Sequence, residues 1–433
     1  MNQQKITAAI AGLVAAGALT TVSPVRAAGF SLPEASSAGI GLANAVVANP
    51  DNIGAFPYNP AAMGFHETSS GAVGALMIGP SFTVETATGS HESQGADWLA
   101  SPMVQAAVRV DDRWRIGLGV TAPFGLETRW QDGTFPDLSN TVRLPFPVPP
   151  PLDPNVPRGH PTASKLEVID LSPSVVYRVS DNLSLSGGLD VYWLKRAQLD
   201  STAGQLRGDG TDLGFNLSAL YRYGDWSFGA AFRSGATIGV EGDYRPLSRT
   251  LVAIGAIPPA QDAEVSFDLP WRLQLGIRRL ITDALAIELD WTRTGWSAFD
   301  KLVVKGKRTG ETIFTDTNDW RDSSAYRIGA TYQLRSATQL RVGYSYDETG
   351  QDNAHFSARV PDSDRHLFSV GLAQGLGAGL SVEAGYMYVK GKDRHYRGDR
   401  PYLGGRDING TDAIQGKYAM DAHLLGIEVV KVF

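Results

Sequence analysis

The sequence predicts an all-β fold: a fourteen-stranded antiparallel transmembrane β-barrel with an N-terminal plug. Three observations carry that expectation. The first is period-two alternation. Leu285, Ile287, Leu289 and Trp291 alternate with Ala286, Glu288, Asp290 and Thr292, and Leu340, Val342, Tyr344 and Tyr346 alternate with Arg341, Gly343, Ser345 and Asp347. A strand sends successive side chains to opposite faces, so each segment has one apolar and one polar face. The polar faces carry Gly, Ser, Arg, Glu and Asp, which suits a solvated lumen. The second is the placing of aromatics at strand ends: Trp114 and Trp226 follow short turns, while Trp291, Trp296, Tyr386 and Tyr388 lie near the far ends, like two interfacial girdles. The third is loop length. Short turns at 111–113, 180–182, 224–225, 282–283 and 377–378 alternate with mostly longer connections, as in outer-membrane barrels.

Taken in order, residues 1–27 read as a signal peptide. Lys5 supplies a positive start, Ile6–Val22 is a small-residue apolar run, and Val25-Arg26-Ala27 has the form of a cleavage site. Beyond it no apolar stretch approaches the roughly 20 residues of a membrane helix. Residues 28–66 fit no strand and are expected as a hatch inside the barrel, whose width at fourteen strands leaves a lumen. The barrel is expected over 67–433, with strands at 67–79, 98–111, 113–130, 163–180, 183–200, 211–223, 226–242, 263–280, 284–305, 321–335, 338–349, 364–375, 379–394 and 416–433. Leu425, Ile427 and Val429 fit an outward face near the final Phe433, and Lys431 interrupts it at a rim where lysine snorkels.

Composition removes several functions. The 433 residues hold no Cys, hence no disulfide framework, thiolate metal site or cysteine nucleophile. A net charge of −6 gives no electrostatic case for nucleic acid. The seven His have no metal spacing, and Asp362-Ser363-Asp364 and Asp407-Ile408-Asn409 lack the rest of a calcium loop. No spaced nucleophile motif argues for a hydrolase, so neither enzyme activity, metal nor cofactor is expected.

The chain resembles the FadL family of outer-membrane transporters for long-chain fatty acids and related hydrophobic compounds. The residues that carry the resemblance are Ala28-Gly29-Phe30-Ser31-Leu32, Asn59-Pro60-Ala61, Val120–Thr128 with Pro123-Phe124-Gly125 at its centre, Trp291–Ser297 and Val360-Pro361-Asp362-Ser363-Asp364-Arg365. Their order and spacing make the signal. The resemblance implies a monomer in the bacterial outer membrane, bathed in its lipid, with capture of ligand outside, a lumen pocket near the mature N-terminus, and lateral exit at a kink in the third strand. Nothing in the N-terminal residues reads as an energy-coupling box, so gradient-driven transport follows. One departure stands out. The family's long loop after the fifth strand is reduced here to about ten residues near Ser201–Gly210, and the long loop follows the third strand, where residues 143–161 carry eight prolines.

Each candidate residue has a structural alternative. Pro123, Phe124 and Gly125 interrupt a regular strand, either as a lateral opening or as a strand end. Phe30 and Leu32 are read as occupants of the ligand pocket, against a frayed tail. Asn59, Pro60 and Ala61 are read as setting hatch geometry, since Asn-Pro initiates turns. Arg196, Arg233 and Arg327 fall on inward parity and suit a fatty-acid carboxylate; the alternative is a wall network with Glu288 and Asp290. The apolar residues among the prolines of 143–161, and those of 243–262, are read as a capture groove or as loop packing. Competing functions are an aromatic-hydrocarbon channel and a general hydrophilic porin, the latter disfavoured by a plugged lumen.

Overall fold

The computed structural model describes residues 29–93, 98–335, 337–402 and 407–433; the signal-peptide assignment lies outside them. Fourteen strands close an antiparallel barrel. They are β1 (Ser70–Thr86), β2 (Leu99–Arg109), β3 (Trp114–Arg129), β4 (Pro161–Arg178), β5 (Leu183–Ser201), β6 (Gly204–Tyr223), β7 (Trp226–Arg233 and Ala236–Pro246), β8 (Gln261–Leu269 and Arg272–Thr282), β9 (Leu285–Thr294 and Lys301–Gly306), β10 (Thr312–Thr317 and Ser323–Arg335), β11 (Thr338–Asp347), β12 (Arg365–Gly377), β13 (Leu380–Gly391) and β14 (Gly416–Val432). Each pairs with its sequence neighbours, and β1 pairs with β14 from Ser70↔Val432 to Glu85↔Lys417, which closes the wall. Closure is what a bilayer demands, because lipid cannot hydrogen-bond an open sheet edge.

Alternation sorts the faces as expected. Ile116, Leu118, Leu185, Leu289, Val342, Val370, Ile427 and Val429 are exposed, while their neighbours Arg115, Ser184, Ser186, Glu288, Asp290, Arg341, Ser369 and Glu428 are buried. An exposed apolar belt of this extent is explained by lipid contact. Lys431 donates to the carbonyl of Ala378 at the turn between β12 and β13 and lies 5.9 Å from the Phe433 ring, so it sits at the rim. Tight turns join β6 to β7 through Gly224-Asp225 and β12 to β13 around Ala378, where Gly224, Gly377 and Gly379 take positive φ.

Two local expectations change. The segment 201–210 is not a loop. Strands β5 and β6 run on to Asp200↔Gln205, leaving a turn at Thr202-Ala203. The alternating glycines of 204–210 resemble a turn in sequence, but Gly208 and Gly210 stand against the β7 backbone, where a Cβ would come within 2.7 and 2.4 Å of carbonyl oxygens. Trp296, expected in an interfacial girdle, is 1% exposed and lies inside. A 3₁₀ turn, Trp296–Ala298, interrupts β9 and swings the ring inward.

Most of the N-terminal residues 30–65 are buried, and they contact strands from two parts of the sheet. A five-residue helix, α1 (Ser37–Gly41), capped by Ser36, touches β11 to β14. A 3₁₀ turn, Pro60–Phe65, touches β3 to β6 on the opposite wall. The proline-rich connection forms a short hairpin, Thr141–Arg143 against Asn155–Pro157, and Thr250 Oγ1 donates to the Asp153 carbonyl at 2.8 Å, tying it to the helix α2 (Arg249–Ala253). Phe146, Leu247 and Ile254 remain exposed there.

Candidate functional site

Strands β2 and β3 part company halfway up the wall. Their ladder runs only from Arg109↔Arg115 to Val104↔Val120. Above it, β2 stays with β1 as far as Ile78↔Leu99, and β3 stays with β4 from Phe124↔Val168 to Ala163↔Arg129. The divergence coincides with a register shift between Thr121 and Phe124. Pro123 has no N–H to give to a ladder, and a bulge bends the strand that carries it. The register shift falls at Ala122-Pro123, beside the expected Pro123-Phe124-Gly125 segment, and above it β2 and β3 are not paired with each other.

The N-terminus reaches this kink from inside. Leu32 N–H donates to the Pro123 carbonyl at 2.8 Å, and Gly125 N–H donates to the Phe30 carbonyl at 3.0 Å. Ser31 and Phe124 form the intervening antiparallel bridge. Gly29 N–H donates to Asp362 Oδ2 at 2.7 Å. Phe30, 3% exposed, fills an aromatic cage of Phe124, Phe267, Trp296, Phe299 and Trp320, with ring centroids 4.7–6.0 Å away. Gly29 has φ +66°, and a Cβ on it would lie 2.6 Å from both Trp296 and Trp320. Only glycine fits that approach.

Beside the cage lies a cavity of about 570 Å³. Leu32, Ile78, Leu367, Met420 and Leu424 line its lumen side. Leu99–Pro102 of β2 and Ala122 and Phe124–Glu127 of β3 flank it, and Glu167, Trp193 and Lys195 line it where β4 and β5 face outward. Trp193 is 49% exposed on the lipid side. The residues that line this cavity thus include Gly29 and Leu32 of the N-terminal segment and exposed Trp193.

The inner segment is bolted to the wall. Asn59 donates to the Val47 carbonyl at 2.7 Å and to the Ala219 carbonyl of β6 at 3.1 Å, while its own oxygen caps Ala61 N–H at 3.1 Å. Pro60 opens the 3₁₀ turn that follows. Asp290 Oδ2 accepts from Val46 and Val47 at 2.8 and 3.0 Å, and Glu288 accepts from Ala48 at 2.6 Å. Ser37 N–H donates to Glu428, and Arg278 pairs with Asp51 at 3.0 Å. Tyr58 donates to Asn44, which donates to Glu34 at 2.9 Å. Burial pushes the Glu34 carboxyl above its ordinary range.

The three predicted arginines separate. Arg233 is in the lumen, paired with Asp190 and, at 3.2 Å, with Asp170; it also donates to the Pro57 carbonyl at 3.1 Å. Arg327 donates to Thr292 at 2.6 Å and pairs with Asp347 at 3.4 Å. Both belong to wall networks, but not with Glu288 and Asp290, whose carboxylates hold the inner segment instead. Arg196 is exposed and outside the lumen. The register shifts between Leu194 and Ala197, and Glu167↔Arg196 is followed by Val168↔Leu194, so Lys195 is an extra residue that turns Arg196 outward. Sequence parity also missed Arg365, which lines the cavity. It lies in the Val360–Arg365 segment that carries the family resemblance, the one usable signal. Among the described residues no cluster of metal-ligating side chains occurs.

A closed barrel with an apolar outer belt has the architecture of an outer-membrane channel protein. The chain belongs to the family described as outer membrane protein transport protein (OMPP1/FadL/TodX), which it matches over residues 18–140 and 153–433. Members of this family are transport channels, not enzymes, and the chain is an outer-membrane protein. It is 27% identical to a 47 kDa outer membrane protein of Pasteurella multocida, over 89% of this chain and 92% of that one. It is 24% identical to a long-chain fatty acid transport protein of Escherichia coli, over 90% and 93%. Among solved structures, a Pseudomonas aeruginosa FadL homologue superposes with a TM-score of 0.76 at 21% identity, covering 93% of this chain and 99% of that one. The Ralstonia pickettii toluene transporter TbuX does so at 0.64 and 17%, covering 92% and 98%.

Proposed function

We propose that this protein takes up long-chain fatty acids or similar hydrophobic molecules passively. Ligand is captured at the external loops, enters the lumen cavity beside Phe30 and Leu32, and leaves sideways between β2 and β3 at the Pro123-Phe124-Gly125 kink. The inner segment around Asn59, Pro60 and Ala61 acts as a hatch that closes the straight path to the periplasm. The observation that carries this reading is that one cavity is lined both by Gly29 and Leu32 of the N-terminal segment and by exposed Trp193. Its size, about 570 Å³, lies within the range of small-molecule sites. A polar lumen leading straight through would instead suit a porin.

The aromatic cage favours a second reading. Phe30 occupies a box of five rings, so a small aromatic hydrocarbon would find matched edges and faces once Phe30 withdrew. Uptake in cells lacking their own hydrophobe transporter separates these cases, using a labelled long-chain fatty acid, a small aromatic hydrocarbon and a small hydrophilic solute. Saturable fatty-acid uptake supports the leading reading. Uptake of the aromatic alone moves the assignment to hydrocarbon import, and passage of the hydrophilic solute alone makes the protein a porin.

A further inference from the structure

The outer face of β10 to β13 carries a second cavity of about 650 Å³, which shares no lining residue with the one beside Leu32. Ladder register explains its shape. One outward row holds Ile328, Tyr344, Phe368 and Tyr388, and the next row toward the tight turns holds Ala330, Val342, Val370 and Tyr386. Rings therefore stand in a ledge beside small side chains, and Ala330, Val342 and Val370 floor a depression. Two hydrogen bonds keep it open. The Tyr344 hydroxyl bonds to His366 Nδ1 at 2.9 Å, and the Tyr386 hydroxyl bonds to His423 Nδ1 at 2.7 Å. Each tyrosine thus reaches one row away from the tight turns, off the floor of the depression.

Above the ledge the chemistry changes. The next row is Tyr346, His366, Lys390 and Asp421. Lys392, just beyond it, is taken by the Tyr346 hydroxyl and by Asp364, each at 3.1 Å. Lys390 is different. Asp421 faces it across the ladder of β13 and β14, yet among the described residues Lys390 makes no ion pair. The two imidazoles also have an edge to spare. When a tyrosine hydroxyl donates to Nδ1, the ring carries its proton on Nε2. Among the described residues neither Nε2 has a hydrogen-bond partner. One ammonium and two imidazole N–H groups thus border an apolar depression.

Their depth in the membrane says what fills it. Tight turns such as that around Ala378 lie at the opposite, periplasmic end, so the row of Lys390 is at the external rim. Ile328, Val342, Phe368 and Val370 are exposed members of the apolar belt, where the neighbour is acyl chain. Basic side chains at the membrane surface attract anionic head groups, and phosphate oxygens accept N–H donors strongly. We propose that this face binds one phosphorylated lipid of the outer leaflet. An acyl chain lies in the depression over Val342 and Val370, and a phosphate rests against Lys390, His366 and His423. Such a lipid is a fixed part of the wall and not cargo, so the proposal stands apart from the transport reading.

The test is native mass spectrometry of the intact barrel in detergent, titrated with lipid A and with the same lipid stripped of its phosphates. The intact protein is expected to hold one lipid A and to prefer the phosphorylated form by about ten- to a hundredfold, the worth of a charge-assisted hydrogen bond. Lys390→Gln combined with His366→Gln should remove that preference. Val370→Trp, which fills the depression, should weaken binding of both forms. Equal affinity of the intact protein for the two forms would overturn the proposal even if the variants failed to insert. A preference that survives the double substitution would overturn it, as would binding undiminished by Val370→Trp. A dimer of this chain that holds no lipid and is broken by Val370→Trp would assign the face to a second copy instead and overturn it too.

Discussion

Phe30 and Phe124 are coupled through both ring and backbone. Their rings are 5.9 Å apart at 58°, and the bridge around them joins Phe30 O to Gly125 N–H and Leu32 N–H to Pro123 O. The residue that fills the lumen cage is therefore hydrogen-bonded to the kink that breaks the wall. A ligand that displaced Phe30 would also release two backbone bonds at the opening, so binding inside and release through the side share one structural element.

That coupling depends on Gly29. A Gly29→Ala substitution places a Cβ against Trp296 and Trp320 in a left-handed backbone conformation, which costs about 1–2 kcal/mol before any clash. The expected outcome is withdrawal of Phe30 from the cage. Tryptophan emission from Trp296 and Trp320 should shift to the red, and the cage should gain affinity for small aromatics. Unchanged emission would mean that the N-terminal bridge does not depend on this glycine.

Arg233 and Arg196 should behave in opposite ways. Arg233→Gln leaves Asp170 and Asp190 buried with their cation removed, which costs about 3–5 kcal/mol. Arg196→Gln alters an exposed side chain and should stay within about 0.5 kcal/mol. Denaturant unfolding of the two variants in detergent compares them directly. Similar stabilities would contradict the bulge at Lys195.

Asn59→Ala removes two bonds to carbonyls and one cap. A loss of about 1–3 kcal/mol is expected. It should appear as frequent brief openings in single-channel recordings, where the intact protein is quiet. Deleting residues 59–63 should enlarge the effect. Conductance unchanged in both variants would remove the hatch assignment.

The connection between β3 and β4, residues 130–160, should loosen in mild acid. Burial lowers His160 to about 4 from 6.5, and its Nε2 accepts from Phe135 N–H at 3.3 Å, which requires the neutral ring. The unfolded connection binds its proton first, so its stability is full above pH 6.5 and declines as pH falls toward 4. Proteolysis of the 130–160 segment should accelerate across that window, and His160→Gln should flatten the dependence. A cleavage rate independent of pH in the native protein would contradict it.

The barrel was legible because lipid and lumen impose opposite chemistry on alternate residues. All fourteen strands lie in the predicted order for that reason. The irregularity in β3 was legible too, since Pro123 and Gly125 break an otherwise regular pattern and the register shifts between Thr121 and Phe124. Parity failed at Arg196 because one bulged residue inverts every later side chain, and nothing about Lys195 marks it as extra. The cage was illegible because Phe124, Phe267, Trp296, Phe299 and Trp320 meet only when the barrel closes. Trp296 read as a girdle residue since its inward swing depends on a 3₁₀ turn with no side-chain cap. Arg365 was passed over because its place at the cavity depends on barrel closure, which parity alone does not display.

Lateral exit between β2 and β3 requires that the two strands stay apart above Val104 and Val120. The most direct measurement is fatty-acid uptake by a variant in which one residue of Ala122-Pro123 is deleted and the other replaced by Val, so that β3 regains register with β4 and can zip to β2. Correct assembly would be checked by the heat-dependent gel mobility of folded barrels. Lateral exit predicts a folded, inserted barrel that binds ligand but does not deliver it. Normal uptake by that variant would contradict it.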